Sequence, residues 1–131
     1  EHRVVWERQQ AESEARRRVE ASNRLRAEAR AKRLLRQHLT LAQKRQLTRD
    51  GFFDVALESG RTYRIRNGWA GNVSQLGPNG YPTHNLCIHP DEYVPHHDNM
   101  LAQLLLLHAD EARFRRTANI SPVYAISPVY A

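Results

Sequence analysis

The sequence predicts an α+β fold, and three observations carry that prediction. A charged, helix-forming segment fills the first 37 residues, an apolar pattern of period two follows from Phe53, and a leucine-rich helical pattern takes over at Asp98. The expected architecture is a long N-terminal helical arm, a short helix, a four-stranded antiparallel meander, a C-terminal helix packed on the sheet, and an extended tail. Residues 1–38 form the basic arm, 39–118 a small α+β domain and 119–131 the tail.

The arm cannot be helical because of packing. Across residues 7–33 about half the side chains are charged, and Val19 and Leu25 are the only large aliphatics. Charge pairing is the alternative: Glu12 and Arg16, Glu14 and Arg18, Glu20 and Arg24, and Glu28 and Lys32 each set an acid four residues before a base. Each such pair contributes about 0.2–0.5 kcal/mol. Bases fall on most sides of the helix, so no single stripe follows a phosphate backbone. Ala11, Ala15, Ser22, Leu25 and Ala29 share one narrow sector, where small side chains let another helix approach closely. The heptad is poor, since Arg18 and Lys32 stand where a coiled coil needs leucine, so docking on a larger assembly is expected instead of a self-sufficient coil.

After a break near residues 38–40, a short helix over 41–49 should end at Gly51, a residue type favoured just past a helix C-terminus. Phe53, Val55 and Leu57 then alternate with Asp54 and Ala56, and Tyr63 and Ile65 alternate with Thr62, Arg64 and Arg66. The Glu58-Ser59-Gly60 turn between them makes a hairpin. Residues 72–76 and 84–89 supply the third and fourth strands, joined by Gly77-Pro78-Asn79-Gly80. Pro90 and Pro95 end extended structure, and residues 98–116 read as one helix that offers Met100, Leu101, Leu104, Leu105 and Phe114 to the sheet.

Charge is divided unevenly. Residues 1–50 hold 14 Lys or Arg against 7 Asp or Glu, a net of +7, and residues 51–131 hold 6 against 7, a net of −1. The arm therefore suits an acidic surface, either protein or nucleic acid. The body leaves about 80 residues for a core, which is small, so assembly with a partner or with other copies is expected. No run of 18 apolar residues is present, so no membrane partner is expected. Cys87 is the single cysteine and leaves no internal disulfide.

The turns and strands Gly60-Arg61-Thr62-Tyr63-Arg64-Ile65, Gly71-Asn72-Val73 and Leu86-Cys87-Ile88-His89-Pro90, with the helical Leu101-Ala102-Gln103 and Asp110-Glu111, resemble a group of small proteins encoded in phage and environmental viral genomes. Those proteins often carry a charged helix in front of the same compact domain. The resemblance covers residues 40–118 and lends no activity or site residues. What it implies is context: a viral particle.

Catalytic and metal-binding patterns are thin. His84, Cys87, His89, His96, His97 and His108 lie within 25 residues. Zinc takes about four converging ligands, and this spacing matches no zinc signature. On a strand Cys87 and His89 share a face that His84 does not. No metal or cofactor is expected, Cys87 reads as a small core residue with no neighbouring base, and Asp110-Glu111 reads as a solvated helix face. Arg61, Arg64 and Arg66 with Tyr63 could imitate a nucleic-acid-binding sheet, but alternation turns Tyr63 towards the core and Arg64 and Arg66 away from it.

The end of the chain repeats itself: Ile120-Ser121-Pro122-Val123-Tyr124-Ala125 is followed at once by Ile126-Ser127-Pro128-Val129-Tyr130-Ala131. Uncharged, extended and interrupted by proline, it suits a neighbour's groove or sheet edge, with a disordered end as the bland alternative. The expectation is thus a non-enzymatic viral structural or assembly protein, of the minor capsid, cement or connector type, found in the virion and otherwise cytoplasmic. Its partner-binding residues would be Arg16, Arg17, Arg18, Arg24, Arg26, Arg30, Lys32 and Arg33 in the arm and Val123, Tyr124, Val129 and Tyr130 in the tail. The alternative is a nucleic-acid-binding accessory protein that sets the same arginines on phosphates.

Overall fold

The computed structural model of the chain describes residues 1–123, and it is mixed α+β. Helix α1 spans His2–Gln37, 36 residues, which at about 1.5 Å per residue is ~54 Å of helix. Helix α2 (Leu41–Asp50) opens on Thr40, whose hydroxyl accepts from the Gln43 N–H at 3.1 Å while Gln43 Oε1 accepts the Thr40 N–H at 2.9 Å. Gly51, at φ 78°, ends it in a left-handed conformation that a side chain would strain, and its N–H reaches the Leu47 carbonyl.

Strands β1 (Phe52–Ala56), β2 (Thr62–Arg66), β3 (Val73–Leu76) and β4 (Pro82–Cys87) follow as the expected antiparallel meander. Among the described residues, however, the sheet has five strands and not four. Strand β5 (Asn119–Pro122), drawn from what read as a free tail, pairs antiparallel with β4, setting Ile120 opposite Leu86 and Ser121 opposite Asn85. Proline did not forbid this because β5 is an edge strand. Val123 donates its N–H to the Thr83 carbonyl, so by alternation the nitrogen of Pro122 faces the open side, where no donor is needed.

The single helix expected over 98–116 is two. Helix α3 covers His96–Ala109 and α4 covers Glu111–Thr117, with Asp110 between them at φ −158°, ψ 75°. Asp110 accepts the Arg113 N–H on its side chain at 3.0 Å, a capping role that aspartate fills better than a helix interior. Within α3, Leu105 was expected on the core face and is instead 47% exposed, while Leu107 is buried.

One face of the sheet carries Phe53, Val55, Tyr63, Ile65, Val73 and Leu86 into a core completed by Met100, Leu101, Leu104 and Leu107 of α3, Phe114 of α4, and Leu35, Leu39 and Leu47. Helix α2 guards the open edge of β1. Gln46 Oε1 accepts the Asp54 N–H at 2.8 Å and Gln43 Nε2 donates to the Asp54 carbonyl at 3.0 Å, so side chains occupy the hydrogen-bonding groups that an edge would otherwise offer another strand. Among the described residues, no helix is long and apolar enough to cross a membrane.

Candidate partner interface

The arm is anchored at its base and bare beyond it. Ala31 and Leu35 are buried, and α1 packs its last turns on α3. One turn earlier Glu28 accepts the Tyr93 hydroxyl at 2.9 Å and sets its other oxygen 3.8 Å from His97 Nδ1. Burial holds His97 below the ordinary histidine range; Glu28 acts against that shift, while Lys32 and His96 add to it.

Towards the N-terminus, Arg16, Arg17, Arg18, Arg24 and Arg26 are exposed, as are Arg30, Lys32 and Arg33 on the outer sides of the docked turns. None of the four expected acid-before-base pairs closes to 4 Å among the described residues; the arm's ion pair is Arg3 with Glu7 at 3.3 Å, and Glu28 serves Tyr93 and His97 in place of Lys32. Exposed pairs gain little against the side-chain entropy of holding them, which is why the spacing did not dictate contacts.

The strip of Ala11, Ala15, Ser22, Leu25 and Ala29 lies roughly 140° round the helix from the face that Ala31 and Leu35 bury. It is therefore turned away from the body, with Leu25 72% exposed. Val4, Val5 and Trp6 add an exposed apolar cluster at the far end, Trp6 at 61%. These three went unremarked in the sequence, although three adjacent large apolar residues ahead of a charged helix are a readable signal.

The tail is less free than expected. Val123 lends its N–H to Thr83 within its own sheet while its side chain stays exposed, and Tyr124, Val129 and Tyr130 lie outside the described residues. Cys87 also departs from expectation: it is partly exposed, on the face opposite core-facing Leu86, with His89 Nε2 3.4 Å from its sulfur. His84 instead meets Thr83 Oγ1 at 3.0 Å. No group of three or more metal-binding side chains gathers among the described residues.

Of Asp110-Glu111, expected as a solvated face, Asp110 is exposed and Glu111 is not. Glu111 accepts the Tyr63 hydroxyl at 2.6 Å, and Arg115 Nη1 donates to that hydroxyl at 2.9 Å and to Gln75 Oε1 at 2.8 Å, so α4 is pinned to the sheet by polar contacts. Tyr63 points into the core, and Arg64 and Arg66 stand on the outer face, as alternation required. An aromatic does share that outer face: Phe52, with the Arg64 guanidinium 4.0 Å from its ring centre.

Comparison with protein-family models, curated proteins and solved structures gives no match, so no family is assigned.

Proposed function

We propose that this chain is an assembly protein that performs no chemistry and grips neighbouring subunits of a particle through its basic helical arm. The observation that supports the reading is the contrast along α1: Ala31 and Leu35 are buried against the body, while the turns before Glu28 present arginines and a small-residue strip with no partner among the described residues. Tertiary packing supplies most helical stability in proteins, so a helix whose outer turns lack it gains from a partner surface. The viral particle, and with it a place in the virion, rests on the resemblance of the central domain; outside a particle the chain would be cytoplasmic.

A nucleic-acid-binding role is the second reading, favoured by exposed Arg16, Arg17 and Arg18 in succession on the arm. Native mass spectrometry of complexes isolated with the full chain separates the two. A stoichiometric protein complex that survives nuclease is expected. Recovery of a lone monomer, or of complexes that nuclease dissolves, overturns the assembly reading.

A further inference from the structure

Two arginines stand side by side on the outer face of the sheet, two positions apart on β2, and among the described residues one of them, Arg64, has an anion and Arg66 has none. Arg64 sets Nε and Nη2 on the Asp54 carboxylate at 2.8 and 3.1 Å, the side-on fork that suits a planar carboxylate. Arg66 donates Nη1 to Ser74 Oγ at 2.8 Å, and Ser74, fully buried, passes its own hydrogen to Asn85 Oδ1 at 2.8 Å. The same Nε and Nη2 edge of Arg66 has no partner among the described residues.

Burial, and then the Arg64 charge, pull the Arg66 guanidinium down from its ordinary range, with Asp54 opposing. A guanidinium stays charged nonetheless, so a half-buried cation sits held in place without a counter-ion. The Ser74 bond fixes its orientation while its free edge is not sealed from solvent, which makes it a preformed receptor.

We propose that Arg66 is a docking point for one carboxylate, an Asp or Glu side chain of a partner protein that closes its fork as Asp54 closes that of Arg64. A phosphate backbone is disfavoured by number. Nucleic-acid affinity accumulates over about 6–10 phosphate contacts in a typical complex, whereas this face offers one uncompensated arginine on residues 51–131, whose 6 Lys or Arg are outnumbered by 7 Asp or Glu. The proposal concerns the body and does not depend on the arm.

The test is a titration of the full, isotope-labelled chain, following the Nε–H resonance of Arg66, with hexaglutamate peptide and separately with a short DNA duplex. Hexaglutamate is expected to move the Arg66 resonance saturably and to reach the arm arginines as a separate event. Ser74→Ala, which keeps the charge but removes its anchor, is expected to weaken that shift. Arg66→Lys, read through the backbone amides of Arg64 and Ser74, should lose most of their response to the peptide, since an ammonium keeps the charge without the fork. An unmoved Arg66, a shift produced by DNA and not by peptide, or an amide response in Arg66→Lys equal to that of the natural chain overturns the proposal.

Discussion

Tyr93 donates its hydroxyl to Glu28 Oε1 at 2.9 Å, joining the arm to the loop before α3 across 65 positions of sequence. That bond lies beside buried Ala31 and Leu35 and marks where α1 stops being a free rod and becomes part of the body.

The two leucines of α1 on either side of that point should behave oppositely. Leu35 is fully buried in the core cluster, so Leu35→Ala should cost about 2–5 kcal/mol. Leu25 is 72% exposed, and Leu25→Ala should stay within about 0.5 kcal/mol. Urea unfolding of both variants checks the contrast, and equal losses would mean that the arm folds back on the body in solution.

His97 should give the chain a pH-dependent stability near the arm's base. Its folded pKa lies below the ordinary 6.5, chiefly through burial, so the unfolded chain binds the proton more readily. Stability is therefore full above about pH 6.5 and falls as pH drops from there towards the folded value. His97→Gln should flatten the dependence across that window; chemical denaturation at a series of pH values measures it, and an unchanged slope would assign the effect to other groups.

Gln46 should matter more than a half-exposed glutamine ordinarily does. It accepts the Asp54 N–H at 2.8 Å and donates to Asp54 Oδ2 at 3.0 Å, so Gln46→Ala strands a donor on the edge of β1. A loss of about 1–2 kcal/mol follows, and the reopened edge should raise self-association. Light scattering against concentration reads the second effect, and a variant as monodisperse as the natural chain would show that the edge is guarded by something else.

Local pattern carried much of this architecture. The alternation from Phe53 to Arg66 around Glu58-Ser59-Gly60 and the stop at Gly51 both depend on neighbours a few residues away, and both stand in the structure. What escaped depends on distance in sequence. Asp110 reads equally well as a helical residue until a cap is needed between α3 and α4. Residues 119–122 become a strand only because β4 leaves an edge for them. Glu28 prefers Tyr93 to Lys32 for a reason that no spacing rule contains. At the candidate interface the exposed arginines of the arm were readable from composition, whereas the open fork of Arg66 emerges only once Asp54 is seen to close the fork of Arg64 and not that of Arg66.

Truncation places the boundary between arm and body most sharply. Removing residues 1–26 takes away no buried side chain and leaves Glu28, Ala31 and Leu35 in place, so the body should keep its melting temperature while losing incorporation into any complex that depends on the arm. Removing residues 1–37 also takes away buried Ala31, strips Leu35 from the core cluster and breaks the Glu28 contacts with Tyr93 and His97. Losing a fully buried leucine and its helix from so small a core exceeds what a marginally stable domain tolerates. The longer truncation should therefore unfold, which scanning calorimetry and circular dichroism would record. A body that melts normally without residues 1–37 would show that α1 is dispensable to the fold along its whole length, and a shorter truncation that still enters complexes at the natural level would show that partners are held elsewhere.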